Sequence, residues 1–353
     1  MQPVVLALAS NERYFPGLYC AVASALRHTT REVDLKVLDG GLSPESRSAL
    51  SRLIERFGRI VRLQFVAVDD SIFQEATLGP AKSHMAYCRT LLPRLLDVPR
   101  LIYLDCDLLV FRDLSELFDL ELPSDKSLAA VPDPETLTLS DDSRTLASAM
   151  NLPVSGRYFN SGVMLLDLNE LREQNFTEKS LEFFKNWKGH YRFWDQSAIN
   201  FLFHDRIAGL PEYWNRASWR FDEQDDNGLD CVLHYTTSAP WRGGTPGPAQ
   251  VLFERFAADA GLPVNRQVAA FKKSRRQQFF RNVLAPLRAL AFPVVSFLYK
   301  IAGQKEKCAG YQKAARHWVD YILKAPRRCR LHHRRAEEIQ RMKFEFAAFK
   351  SAT

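Results

Sequence analysis

The chain has 353 residues, 46% of them hydrophobic, with a formal net charge of +7, which suits one large core or two modest ones. The charge is segregated: residues 1–264 hold 27 Lys and Arg against 36 Asp and Glu, a balance of −9, while residues 265–353 hold 21 against 5, a balance of +16. Six scattered cysteines without CxxC spacing speak against a disulfide frame or a zinc site. No run is long enough to span a bilayer and no signal peptide opens the chain, so a cytoplasmic protein is expected.

Residues 3–9 read as a buried strand, followed by a turn at 10–14 and a helix through 19–26 ending near His28. Residues 33–38 form a second strand. Ser43-Pro44-Glu45 then opens a helix, with a capping Ser, Pro in the first helical position and an acidic first turn. A third strand follows at 60–68. Strand, helix, strand, helix, strand is the pattern of a doubly wound nucleotide-binding half. No GxGxxG and no P-loop accompany it.

A helix over 83–96 carries Arg89 and leads into the stretch that organises the chain, Leu101 to Leu114. Leu101-Ile102-Tyr103-Leu104 reads as a strand buried on both faces. Asp105 and Asp107 follow with one residue between them, and apolar residues resume at once. Two charges wedged between apolar runs need a compensating cation. Residues i and i+2 of an extended chain point the same way, so the pair is expected to converge on one hard divalent ion, Mn²⁺ or Mg²⁺. The alternative is an acidic turn capping backbone groups.

Further along, 127–131 reads as a strand with Asp133 at the turn after it, and 137–155 as a polar, mobile loop over a site. Residues 158–166 form an apolar strand with Asn160 and Gly162 at its mouth. A helix at 178–187 precedes Phe193-Trp194-Asp195-Gln196, polar groups set between aromatic ones. Residues 231–235 form a last strand that carries His234. Singly, each of these has a bland reading as a turn, a cap or a packed core group.

In order, they resemble the family 8 retaining glycosyltransferases, which include bacterial lipopolysaccharide galactosyl- and glucosyltransferases and glycogenin. The resemblance covers about residues 3–245. It rests on Ala9, Asn11 and Tyr14, on Arg89, on Tyr103-Leu104-Asp105-Cys106-Asp107, on Phe159-Asn160-Ser161-Gly162-Val163, on Asp195-Gln196, and on His234-Tyr235 with Pro240-Trp241. It implies a GT-A fold, an α/β domain with a mixed, mainly parallel nucleotide-binding sheet flanked by helices. It also implies that Asp105, Asp107 and His234 hold Mn²⁺ or Mg²⁺ against the diphosphate of UDP-glucose or UDP-galactose. Ala9, Asn11, Tyr14, Arg89, Cys106, Asn160 and Gly162 would then contact the donor, and Asp133 the acceptor. Asp195 and Gln196 would serve the chemistry, through a covalent intermediate on Asp195 or a front-face attack as UDP leaves.

Two departures stand out. Asn11 occupies a place where the family often has an acid, and the family's usual Lys before Pro-Trp is missing, with Arg242 on the far side of Trp241 as the nearest cation. The missing Lys motivates a rival reading, a catalytically impaired UDP-sugar-binding scaffold. Another is a transferase acting on protein or soluble glycan.

Residues 265–353 lie outside the resemblance. Their basic clusters flank an apolar stretch, 283–301, whose longest charge-free run, 289–299, suits an interfacial helix. The tail therefore reads as a basic, partly amphipathic helical extension that docks on anionic lipid at the inner face of the cytoplasmic membrane. No nucleic-acid motif accompanies its charge. The expected acceptor is a lipopolysaccharide core or a lipid-linked saccharide.

Overall fold

The apolar runs of the sequence become the middle of a seven-stranded sheet. β1 (Val4–Ser10), α1 (Phe15–His28), β2 (Val33–Asp39), α2 (Pro44–Glu55) and β3 (Arg62–Ala67) realise the opening alternation, with all three strands parallel. Ser43 caps α2 by accepting from Ser46 N at 3.2 Å. α3 (Leu92–Leu95), β4 (Arg100–Leu104), β5 (Leu108–Val110), α4 (Leu114–Phe118), β6 (Leu128–Pro132), α5 (Leu139–Ala149) and β7 (Phe159–Asp167) follow. The order continues with α6 (Leu168–Glu173), α7 (Phe176–Asn186), α8 (Trp194–Phe203), β8 (Ile207–Gly209), β9 (Arg216–Ala217), β10 (Val232–His234) and α9 (Pro248–Asp259).

This computed structural model describes residues 2–57, 62–74, 76, 84–221, 229–236, 239–242 and 248–262. The chain divides into two units, Met1–Gln267 and Val268–Thr353, and every described residue belongs to the first. The basic tail and its membrane reading lie outside the described residues. Among the described residues no helix is long and apolar enough to cross a membrane.

The large sheet has the order β3-β2-β1-β4-β7-β6-β8, and β5-β10-β9 makes a second, small sheet. Leu6, Leu8, Leu101, Ile102, Val163 and Leu165 in the middle strands are all at most 1% exposed. Burying each contributes about 1.5–3 kcal/mol, which fixes the register of these strands. From β1 the chain first builds outward through β2 and β3, then returns to add β4 on the other side. The crevice at the carboxyl ends of β1 and β4 is therefore a topological switch point, where open α/β sheets bind ligands. β7 runs antiparallel to both neighbours, β4 and β6. Its amino-terminal end consequently arrives at the mouth formed by the carboxyl ends of β1, β4 and β6.

Two segments differ from the sequence reading. In place of the one helix expected over 83–96, the described residues 84–96 hold a 3-10 helix, Met85–Leu91, and only the four residues of α3 are α-helical. Pro93 explains this, since its ring clashes with the carbonyl four residues back and it has no N–H to give. Residues 137–155 are not a loose loop but contain α5. Asp141 accepts from Leu137 N, Thr138 N and Thr138 Oγ1 at 3.1, 2.9 and 2.9 Å, capping the helix start. The buried Asp142 takes Tyr158 Oη at 2.8 Å and Ser197 Oγ at 2.5 Å. The polar residues that suggested a loop are the helix cap and its anchor.

Candidate active site

Asp105, Cys106 and Asp107 occupy the bend between β4 and β5, not an extended strand. Side-chain alternation is thus not what brings the two carboxylates together. One bond on each flank pins the bend: Asp105 N donates to Gly162 O, and Tyr235 N to Asp107 O, both at 2.8 Å. Between them the buried Cys106 turns its thiol toward Ala9 O of β1, at 3.2 Å. β10 pairs antiparallel with β5, which sets His234 opposite Leu108 and beside the bend. His234 Nε2 lies 3.2 Å from Asp107 Oδ1 and 3.8 Å from Asp105 Oδ2. One donor atom from each of the three residues falls within 4.8 Å of the others.

This donor set fits a divalent cation. Burial pushes the Asp105 carboxyl above its ordinary pKa, Arg89 opposes that, and the neighbouring Asp107 adds to it. Burial also disfavours a charged His234, yet Asp107 and then Asp105 outweigh it and raise the imidazole pKa. Two crowded carboxylates therefore draw on whatever positive charge is at hand, and a bound cation supplies more of it. Gly162 makes the arrangement possible. A Cβ there would sit 2.2 Å from His234 Cε1 and 3.0 Å from Asp105 Oδ2. Gly162→Ala is expected to displace the ring and weaken Mn²⁺ binding by about 10–100-fold, the range typical when a ligand loses its support. Paramagnetic resonance titration of free Mn²⁺ checks this; unchanged affinity would show that the ring has room to move.

Arg89, only 4% exposed, joins this group to the next. Its Nη2 donates to Asp105 Oδ1 at 2.8 Å, its Nη1 to Ser161 O at 2.5 Å and Ser161 Oγ at 3.0 Å. Its guanidinium lies 4.6 Å from the Tyr103 ring centroid, and Tyr103 Oη donates to Asp105 Oδ1 at 3.1 Å. Arg89 Nε stands 2.8 Å from Asp195 Oδ2, but its hydrogen goes to Ala86 O. Asp195, 3% exposed, is thus ion-paired while its Oδ2 accepts no hydrogen bond among the described residues. Burial raises its pKa to about 6, with Arg89 pulling it down and Asp105 pushing it up. Trp194, directly before it, has φ +52°, a left-handed conformation that strains a side-chain-bearing residue. That kink at the start of α8 turns Asp195 inward.

Asp133 follows β6 directly and lines the same cavity as Arg89 and Asp195. Its Oδ1 accepts from Glu135 N and Thr136 N at 3.0 and 2.8 Å; its Oδ2 accepts from Asn160 Nδ2 at 3.0 Å and Gln196 Nε2 at 3.3 Å. Gln196 Oε1 in turn accepts from Ser161 N at 3.0 Å. Gln196 therefore ties β7 to β6 across the mouth.

A cavity of about 570 Å³ gathers these groups, and Ala9, Tyr14, Arg89, Asp105, Cys106, Asp107, Asp133, Asn160, Asp195, Gln196 and His234 line it. Two expected residues are not in its wall. Asn11 Oδ1 accepts from Arg13 N at 3.1 Å, capping the turn Glu12–Tyr14. Gly162 backs the wall from behind His234. Arg242, the cation that its place in sequence put on the wrong side of Trp241, does line the cavity, because the 3-10 turn Pro240–Arg242 carries it round. Its guanidinium stacks 4.9 Å from the centroid of the Tyr14 ring, and its Nη2 is buried without a hydrogen-bond partner among the described residues. Tyr103 and Ser161, which stand in the quoted motifs without a role of their own, also belong to the site, as does Asn215, which the sequence reading did not single out. Asn215 shares the signal that marked Asp195, a polar residue directly after an aromatic pair, Tyr213-Trp214.

Comparison with known proteins closes the identification. The model of "Glycosyl transferase family 8" matches residues 5–244. The chain belongs to this family. It is a glycosyltransferase with the GT-A type of fold. It is 28% identical over 257 residues to General stress protein A of Bacillus subtilis, covering 67% of this chain and 85% of that protein. It is 32% identical over 157 residues to the lipopolysaccharide 1,2-glucosyltransferase of Escherichia coli K12, covering 41% of this chain and 45% of that protein. Among solved structures, the galactosyltransferase LgtC in complex with donor and acceptor sugar analogues superposes with a TM-score of 0.61 at 24% identity, over 72% of this chain and 96% of that one.

Proposed function

We propose that this glycosyltransferase is a metal-dependent, retaining hexosyltransferase that moves glucose or galactose from a UDP-sugar to a glycan. The observation that carries the reading is the set of charges gathered in one cavity: Asp105, Asp107 and His234 together, Arg242 beside Tyr14 with a buried nitrogen that has no hydrogen-bond partner among the described residues, and Asp195 held by Arg89. Mn²⁺ or Mg²⁺ on the first three would neutralise the diphosphate and the charge that grows on it as the sugar bond breaks. Arg242 supplies the second cation for that diphosphate, in the role for which the missing Lys left a gap. The Tyr14 ring beneath it offers a face for the base or ribose. Asp195 faces the positive charge that develops on the sugar. Asp133 and Asn160, in the same cavity, present a carboxylate and an amide to sugar or acceptor hydroxyls.

The relation to the lipopolysaccharide glucosyltransferase favours a lipopolysaccharide core or lipid-linked saccharide as acceptor. The +16 balance of residues 265–353 favours a peripheral place on an anionic membrane for the same reaction.

The test is UDP release by the full chain from UDP-glucose and UDP-galactose, with Mn²⁺ and with EDTA. Release that needs the metal is expected, and Arg242→Ala should weaken UDP binding by about 10–150-fold, the equivalent of one charge-assisted hydrogen bond of about 1.5–3 kcal/mol. UDP-sugar binding without turnover under any of these conditions favours the scaffold reading.

A further inference from the structure

The wiring behind the metal ligands rests on fixed hydrogen-bond directions. Gly162 N can only donate, and it reaches Asn160 Oδ1 at 3.0 Å. At its other end the same amide donates from Asn160 Nδ2 to Asp133 Oδ2 at 3.0 Å. These two ends settle which atom of the Asn160 amide is oxygen and which is nitrogen. Asn215 Nδ2 then donates to Asn160 Oδ1 at 2.8 Å, so Asn215 Oδ1 is the atom facing His234 Nδ1, also at 2.8 Å. An amide oxygen only accepts, so His234 Nδ1 carries a hydrogen. The ring nitrogen left for coordination is Nε2, the one turned toward Asp105 and Asp107.

Resting on the metal reading above, we infer that Asn215 is a positioning residue that fixes the His234 tautomer and ring plane so that Nε2 is presented to the cation. Its own placement is secure. Asn215 is 5% exposed, ends the 3-10 turn Glu212–Trp214 through Asn215 N to Glu212 O at 3.0 Å, and directly precedes β9. β9 pairs with β10 so that Ala217 lies opposite His234. Outer partners of ligating histidines act in this way, holding the non-ligating N–H and with it the ring. Here the partner is an amide whose own direction is set from Asp133, so the sugar-side carboxylate and the metal ligand share one chain of hydrogen bonds.

Two substitutions separate positioning from mere packing. Asn215→Leu keeps the volume and removes the acceptor; Asn215→Asp keeps the acceptor at Nδ1 and removes the donor to Asn160. Mn²⁺ affinity of the full chain, read by paramagnetic resonance, should fall about 10–100-fold in Asn215→Leu and be retained in Asn215→Asp. Nitrogen-15 spectra of the Mg²⁺-loaded wild type should show His234 protonated at Nδ1, a readout that needs no variant to fold. Wild-type affinity in Asn215→Leu, equal losses in both variants, or a ring protonated at Nε2 would each overturn the inference alone. A wild-type chain that binds neither Mn²⁺ nor Mg²⁺ overturns the metal reading and this inference with it.

Discussion

Asp105→Asn and Asp107→Asn are each expected to lower metal-dependent transfer by about 1,000-fold or more while the domain stays folded. A metal at a developing phosphate charge is worth several kcal/mol, and each 1.36 kcal/mol is tenfold in rate. Folding survives because an amide oxygen at position 105 can still accept from Arg89 Nη2 and Tyr103 Oη, which hold the present carboxylate at 2.8 and 3.1 Å. The expected effect on stability carries a second sign. Asp105 and Asp107 repel one another in a partly buried site, and burial with that repulsion raises the Asp105 pKa. Removing one charge should leave the metal-free melting temperature unchanged or higher, while the rise in melting temperature produced by saturating Mn²⁺ disappears. Near-normal Mn²⁺-dependent turnover in either variant would sink the metal assignment.

What the sequence made legible follows from what local patterns encode. Asp105 and Asp107 were visible because charges between apolar runs violate the ordinary logic of burial, and the alternation up to β3 because its periods are long and regular. The direction of β7 was not visible: an apolar run reads alike in either direction, yet only the antiparallel course brings Asn160 and Gly162 to the mouth. Nor was the means by which the two Asp side chains meet, since the bend that aims them is held by Gly162 and Tyr235 from distant strands. Asn215 was missed for the same reason, its partners being 19 and 55 residues away in sequence. Arg242 was misjudged because a linear reading assigns sides as if the chain were straight, and a single 3-10 turn undoes that. The role of α5 was hidden by its polar composition, in which Asp141 and Asp142 are a cap and a buried anchor.

Asp195 is the carboxylate whose loss should cost the most in the chemical step itself. It is buried, held at 2.8 Å by Arg89, and retains an oxygen that accepts no hydrogen bond among the described residues. Such a group meets positive charge that exists fully only in the transition state, and in a water-poor wall the attraction is strong. Asp195→Asn should therefore lower turnover about 100–1,000-fold and change UDP-sugar affinity little. Asp133→Asn makes the contrast: with both its oxygens engaged in hydrogen bonds, its loss should act chiefly on acceptor KM. A pH profile adds an independent sign. The folded pKa of Asp195 is raised from an ordinary carboxyl to about 6, so the needed anion is lost as pH falls through that value. Wild-type turnover at saturating donor should drop on the acid side near pH 6, and the residual activity of Asp195→Asn should lack that limb. Turnover at saturation, acceptor KM and UDP-sugar affinity, measured for both variants across that range, decide the matter. An Asp195→Asn enzyme that binds donor poorly yet keeps its saturated turnover makes Asp195 a binding group and removes it from the chemistry.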